Sequence, residues 1–188
     1  MPIAKFQKGD TMIRKIKIDY NFPEFFSASY DTDQTCIQHQ KTELTDIHKK
    51  YGGFPDSYDV YNTNINQVWW NSEQIDYNIL EQQIGMEIVT VSTIRQRPGN
   101  VIPVHRDTFF QINKKFPDDK RTKVRANIHI EDWKIGHLIQ YNDNENWATY
   151  THWKQGEGLL WDSTVEHIGA NIGLNDKYTL QLSGFLNE

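Results

Sequence analysis

The chain has one cysteine, Cys36, among 188 residues, so it holds no internal disulfide, no cysteine-rich zinc site and no paired-thiol redox motif. A reducing, cytoplasmic setting is the expectation that follows. Long apolar runs are also missing. Nothing approaches the roughly 20 residues a bilayer-spanning helix needs, and Met1–Asp10 lacks the apolar stretch of a signal peptide. Positive charge is in deficit, with 20 Lys and Arg against 25 Asp and Glu for a net charge of −5, which argues against a phosphate backbone as ligand. The expectation is therefore no nucleic-acid partner and no membrane partner. Six prolines and eleven glycines are too thinly spread to mark a linker, and no repeat or low-complexity tract occurs.

What is abundant is aromatic: six Trp, nine Tyr and nine Phe in a chain of mean hydropathy −0.72. A core built from a few large rings fits that composition, and most of the Trp residues are expected to pack inside. The length suits one domain, with residues 1–85 as a supporting α/β region and 86–188 as the core. Met12–Ile18 alternates like an edge strand with lysines outward, and residues 72–84 carry Ile75, Ile79, Leu80 and Ile84 at helical spacing. Ser72 is placed to cap that helix and Gly85 to stop it. From Met86 onward the pattern is β. Strands are predicted over 86–94, 101–110, 121–131, 136–141, 147–153, 159–161 and 177–185, separated by turn residues such as Arg97-Pro98-Gly99-Asn100. Many short strands after a helical segment predict a mainly β fold with flanking α: a double-stranded β-helix (jelly roll, cupin-like) buttressed by N-terminal helices.

Within that frame His105 and Asp107, two apart on a strand, would face the same side. Such a pair alone is more often an ordinary hydrogen-bonded one. His167, several strands later, makes it a set of two imidazoles and one carboxylate, the facial triad that suits non-haem iron(II) and leaves three coordination positions open. Lys177 and Thr179 share one face of the last strand, where an ammonium and a hydroxyl would suit a carboxylate; an isolated Lys there is otherwise a solvated strand end. Arg125, Asn127 and His129 alternate with Val124, Ala126, Ile128 and Ile130, so the polar three either line a cavity or face solvent.

The runs Ile94–Asp107, Arg125–Ile130, Gly156–Asp162 and His167–Asn171, in that order, resemble the iron(II)/2-oxoglutarate-dependent dioxygenases. The nearest look is to the aspartyl/asparaginyl β-hydroxylase-like branch, which also contains free-proline hydroxylases. The resemblance covers about residues 90–185 and implies the double-stranded β-helix. It implies that His105, Asp107 and His167 hold Fe(II), and that Lys177 binds the distal carboxylate of the cosubstrate 2-oxoglutarate. By their places on the strands, Thr179 would join Lys177 as a cosubstrate contact and Arg125 would pair with a carboxylate of the cosubstrate or of the substrate. Asn127 and His129 would touch substrate. The reaction implied is O2-dependent hydroxylation of an unactivated C–H bond in an amino acid or peptide side chain, with release of succinate and CO2. Two departures stand out: Asp107 is present where some members of the branch lack the carboxylate, which favours hydroxylation over halogenation, and Lys177 stands where arginine is commoner. Two rivals use the same residues differently. One is a zinc hydrolase, for which Glu166 is the adjacent base, and the other a non-catalytic jelly-roll binding module.

Overall fold

The computed structural model describes residues 12–30, 36–37, 49–52 and 65–187, and eleven strands form two antiparallel sheets among them. The larger sheet has the order β1 (Ile13–Lys17), β9 (Glu157–Asp162), β6 (Lys123–His129), β11 (Lys177–Leu186), β4 (Met86–Gln96), β3 (Ile65–Trp70), β2 (Cys36–Ile37). The smaller has β5 (Val101–His105), β10 (His167–Asn171), β7 (His137–Asp143) and β8 (Asn146–Tyr150). Together they are the two faces of a double-stranded β-helix.

Alternation sorts each central strand into two chemistries. On β11, Leu180 and Leu182 join the main hydrophobic core, while Lys177, Thr179, Gln181 and Ser183 line a cavity on the opposite face. On β6, Val124, Ala126 and Ile128 point to that same core and Arg125 and Asn127 to the cavity. Strand β4 breaks the rule once. Its register against β11 skips Val89, between Ser183–Thr90 and Gly184–Ile88, and this bulge lets Met86, Ile88 and Val91 reach one core despite their mixed parity.

The core's other wall comes from the N-terminal region: Phe22, Phe25 of α1 (Pro23–Phe26), Ile75, and Leu80 and Ile84 of α2 (Tyr77–Ile84) pack on the outer face of the large sheet. The expected buttress is there, though its helices are short. Helix α2 starts later than predicted. Asp76, not Ser72, caps it by accepting from Asn78 N at 3.0 Å, while Asn71 turns the preceding residues by accepting from Glu73 N and Gln74 N. Gly85 ends it in the left-handed conformation at φ +79°, with its N–H on Glu81 O.

The strand predicted over 101–110 is corrected. β5 stops at His105, the Arg106 N–H donates to Gly52 O, and the chain turns through Phe109 (φ +49°) into α3 (Phe110–Lys115). Buried Phe109 and Ile112 pack against Phe185, so the apolar alternation read as strand serves a helix. Strands β3 and β10 were not predicted. No helix among the described residues is long and apolar enough to cross a membrane.

Candidate metal centre

Strands β5 and β10 pair antiparallel with His105 opposite His167, and their rings lie 4.2 Å apart, centroid to centroid. A register slip after this pair accommodates Pro103, which has no N–H to give and sits on an edge strand. Asp107 reaches the same point from the loop after β5 rather than from the strand itself, and its Oδ2 lies 3.9 Å from His167 Nε2. One donor atom from each of the three residues falls within 4.8 Å of the others, and all three residues are buried.

The two histidines are oriented in the same way. His105 Nδ1 lies 2.8 Å from Pro103 O and His167 Nδ1 lies 3.1 Å from Val165 O, each the carbonyl two residues back. A carbonyl only accepts, so a proton sits on each Nδ1 and it is Nε2 that is left to meet a metal. Backbone partners of this kind fix imidazoles for a metal. Burial would raise the Asp107 pKa, but Arg125, the two histidines and the Trp161 indole overcome it and hold the carboxyl at about 2. Burial lowers the His167 pKa against the opposing pull of Asp107, which favours the neutral, ligating ring. Two imidazoles whose Nε2 atoms are left free by the backbone bonds at Nδ1, together with an ionised carboxylate, are a donor set that fits iron(II).

The cavity beside this triad measures about 250 Å3. Lys177 lies in its wall, 2% exposed, with Nζ donating to Gln96 Oε1 (3.2 Å), Leu138 O (3.0 Å) and Ala170 O (3.5 Å). No carboxylate among the described residues pairs with it, and burial pushes its pKa down to about 7. The strand-end lysine of the sequence pattern is thus a buried cation facing a cavity. Thr179 lines the cavity beside it, and Gln181 and Ser183 continue the row. These last two were missed, although their parity with Lys177 in the sequence marks them.

Arg125 lines the cavity too, and its Nε is 3.2 Å from Asp107 Oδ2, so its charge is engaged with the triad carboxylate. Asn127 lines the cavity and its Oδ1 accepts from Gln181 Nε2. His129 does not. It is fully buried, stacked on Trp153 at 3.5 Å with neither ring nitrogen partnered among the described residues, and burial takes its pKa well below the usual value. Its expected contact with substrate is replaced by a packing role. Glu166 forms an exposed ion pair with Arg106 at 3.1 Å and is absent from the cavity wall. Of the tryptophans, Trp153 and Trp161 are buried as expected, whereas Trp69 is 52% exposed at the cavity's edge. Of the N-terminal aromatics that a lid or a substrate pocket would draw on, Tyr58 and Tyr61 lie outside the described residues.

No protein-family model matches this sequence, and no curated protein matches it. Solved structures match its fold. The carbocyclase SnoK from nogalamycin biosynthesis, described as non-haem and α-ketoglutarate dependent, aligns over 94% of this chain and 80% of its own, with TM-score 0.57 at 8% identity. The epimerase SnoN of the same biosynthesis, likewise described as α-ketoglutarate dependent, gives 0.50 at 10% identity over 69% of this chain, which spans 64% of SnoN. A prolyl-4-hydroxylase from Pseudomonas putida aligns over 77% of this chain and 81% of its own at 15% identity, with TM-score 0.48.

Proposed function

We propose that this chain is an iron(II)- and 2-oxoglutarate-dependent oxygenase that hydroxylates an unactivated C–H bond of an amino acid or of an amino-acid side chain in a peptide. The observation that carries the reading is the meeting, in one cavity, of the His105–Asp107–His167 donor set with a buried lysine that has no carboxylate partner among the described residues. A buried ammonium bonded only to neutral oxygens is poorly compensated, and an incoming carboxylate corrects that. The fold shared with SnoK agrees with the assignment, and so does the sequence resemblance to the aspartyl/asparaginyl β-hydroxylase-like branch.

His105, Asp107 and His167 would hold the iron, which with 2-oxoglutarate and O2 supplies the oxidation: the cosubstrate leaves as succinate and CO2, and one oxygen atom enters the substrate C–H bond. The protein's own tasks are orientation and exclusion of water. Pro103 O and Val165 O aim the imidazoles, and Arg125 and Trp161 hold Asp107 ionised and in place. Lys177 receives the distal carboxylate of 2-oxoglutarate as a point charge, with Thr179 beside it as a hydroxyl donor. Ile94, Ile102, Ile139 and Phe109 form the apolar part of the wall, which keeps the reacting volume dry. A zinc hydrolase would need a base at the metal, and Glu166 is turned to Arg106 instead.

The test adds iron(II) and 2-oxoglutarate without oxygen to metal-free protein and reads the visible metal-to-ligand charge-transfer band. A band that His105→Ala abolishes and Lys177→Ala weakens supports the reading. No band in the wild type, together with tight zinc binding, overturns it.

A further inference from the structure

The cavity's 250 Å3 lies just below the roughly 300–1,000 Å3 that small-molecule sites span. On the oxygenase reading it holds 2-oxoglutarate together with the reacting group of the substrate, which leaves room for a side chain rather than a whole second molecule. The rest of the substrate then lies outside, and the outside has a shape. Trp69, Thr90 and Gln111 line both the cavity and an adjoining open groove of about 580 Å3, whose remaining wall includes Lys114 and Lys115 of α3.

Two features of this groove bear on what fills it. First, the Trp69 indole is half exposed at the passage between the two spaces, an apolar platform with a polar edge. Second, the charge is one-sided. Lys114 and Lys115 form no ion pair among the described residues, whereas nearby Arg121 is bound to Asp119 and Glu87. In a chain of net charge −5 this is a local reversal. Asp107 is the sole acid among the described residues of both linings, and it is already engaged by Arg125. A free amino acid would bring an α-ammonium that no described carboxylate here meets.

We propose that the substrate is a peptide with acidic residues next to the residue that reacts. Its acidic side chains meet Lys114 and Lys115, and the reacting side chain passes Trp69 into the cavity. This rests on the oxygenase reading and narrows it from amino acids in general to peptides.

The test uses the full chain loaded anaerobically with iron(II) and 2-oxoglutarate, and fluorescein-labelled peptide pools of acidic, neutral and basic composition read by polarisation, with free L-amino acids as competitors. The acidic pool is expected to bind at least tenfold tighter than the other two. Reversing both charges with Lys114→Glu and Lys115→Glu, on exposed positions that leave the core untouched, is expected to remove that preference, and Trp69→Ala to weaken binding of all pools. Equal binding of the three pools, an acidic preference that survives the charge reversal, or displacement by free amino acids overturns the proposal. The charge-transfer band, read on the same samples, separates the two failures. A band without acidic preference sinks the peptide inference alone, and no band sinks the oxygenase reading and this inference with it.

Discussion

The Trp161 indole N–H donates to Asp107 Oδ2 at 2.8 Å, linking a buried ring of β9 to a carboxylate on the loop after β5. Arg125 approaches the same oxygen at 3.2 Å. Asp107 therefore gets its position from two strands of the large sheet, although its histidine partners stand on the small one. Removing the indole donor while keeping the ring's bulk, as in Trp161→Phe, is expected to weaken iron(II) binding about tenfold, within the range for a ligand-orienting partner. Calorimetric titration of the metal-free protein checks it.

Lys177 predicts a pH dependence. Its pKa in the free protein is lowered to about 7 by burial, and a bound carboxylate raises it. Binding of 2-oxoglutarate then takes up a proton above pH 7, so affinity falls as pH rises, approaching tenfold per pH unit. Titrating the charge-transfer band with 2-oxoglutarate between pH 6.5 and 8.5 measures this. Lys177→Met should flatten the profile and raise the 2-oxoglutarate dissociation constant at pH 6.5, with iron affinity unchanged.

Glu166→Gln separates the oxygenase from the hydrolase. Because Glu166 pairs with Arg106 on the surface, the change is expected to leave the charge-transfer band and 2-oxoglutarate consumption within twofold of wild type. A collapse of turnover with the band intact would give Glu166 a catalytic role.

His129→Phe is expected to leave the melting temperature unchanged or raise it. The ring is fully buried against Trp153 and neither nitrogen has a partner among the described residues, so an apolar ring of similar shape removes an uncompensated polar group. Differential scanning calorimetry reads the outcome, and a large drop would reveal a polar partner for the histidine.

Gly158 sits where β9 crosses β6, and a Cβ there would collide with the Asn127 carbonyl. Gly158→Ala should cost about 1–3 kcal/mol, the usual range for overpacking, and lower the urea midpoint without changing the slope.

The β-rich architecture and the parity of its central strands are written in local residue patterns. Val124, Ala126 and Ile128 against Arg125 and Asn127 is a period of two, and a period of two survives translation into a sheet. The three donor residues and Lys177 were legible for the same reason, since residue type and order along the chain mark them. What the sequence left open depends on contacts far apart in the chain. That Phe110–Lys115 is helical follows from Phe109 and Ile112 finding Phe185, and that Arg125 turns to Asp107 follows from the loop after β5 folding over β6. His129 belongs to the same polar face as Arg125 in the sequence. Only the packing of Trp153 across it decides that it is sealed in the interior instead of opening on the cavity. Local periodicity assigns a side chain to a face of the sheet, but what covers that face is fixed by residues the chain brings there from elsewhere.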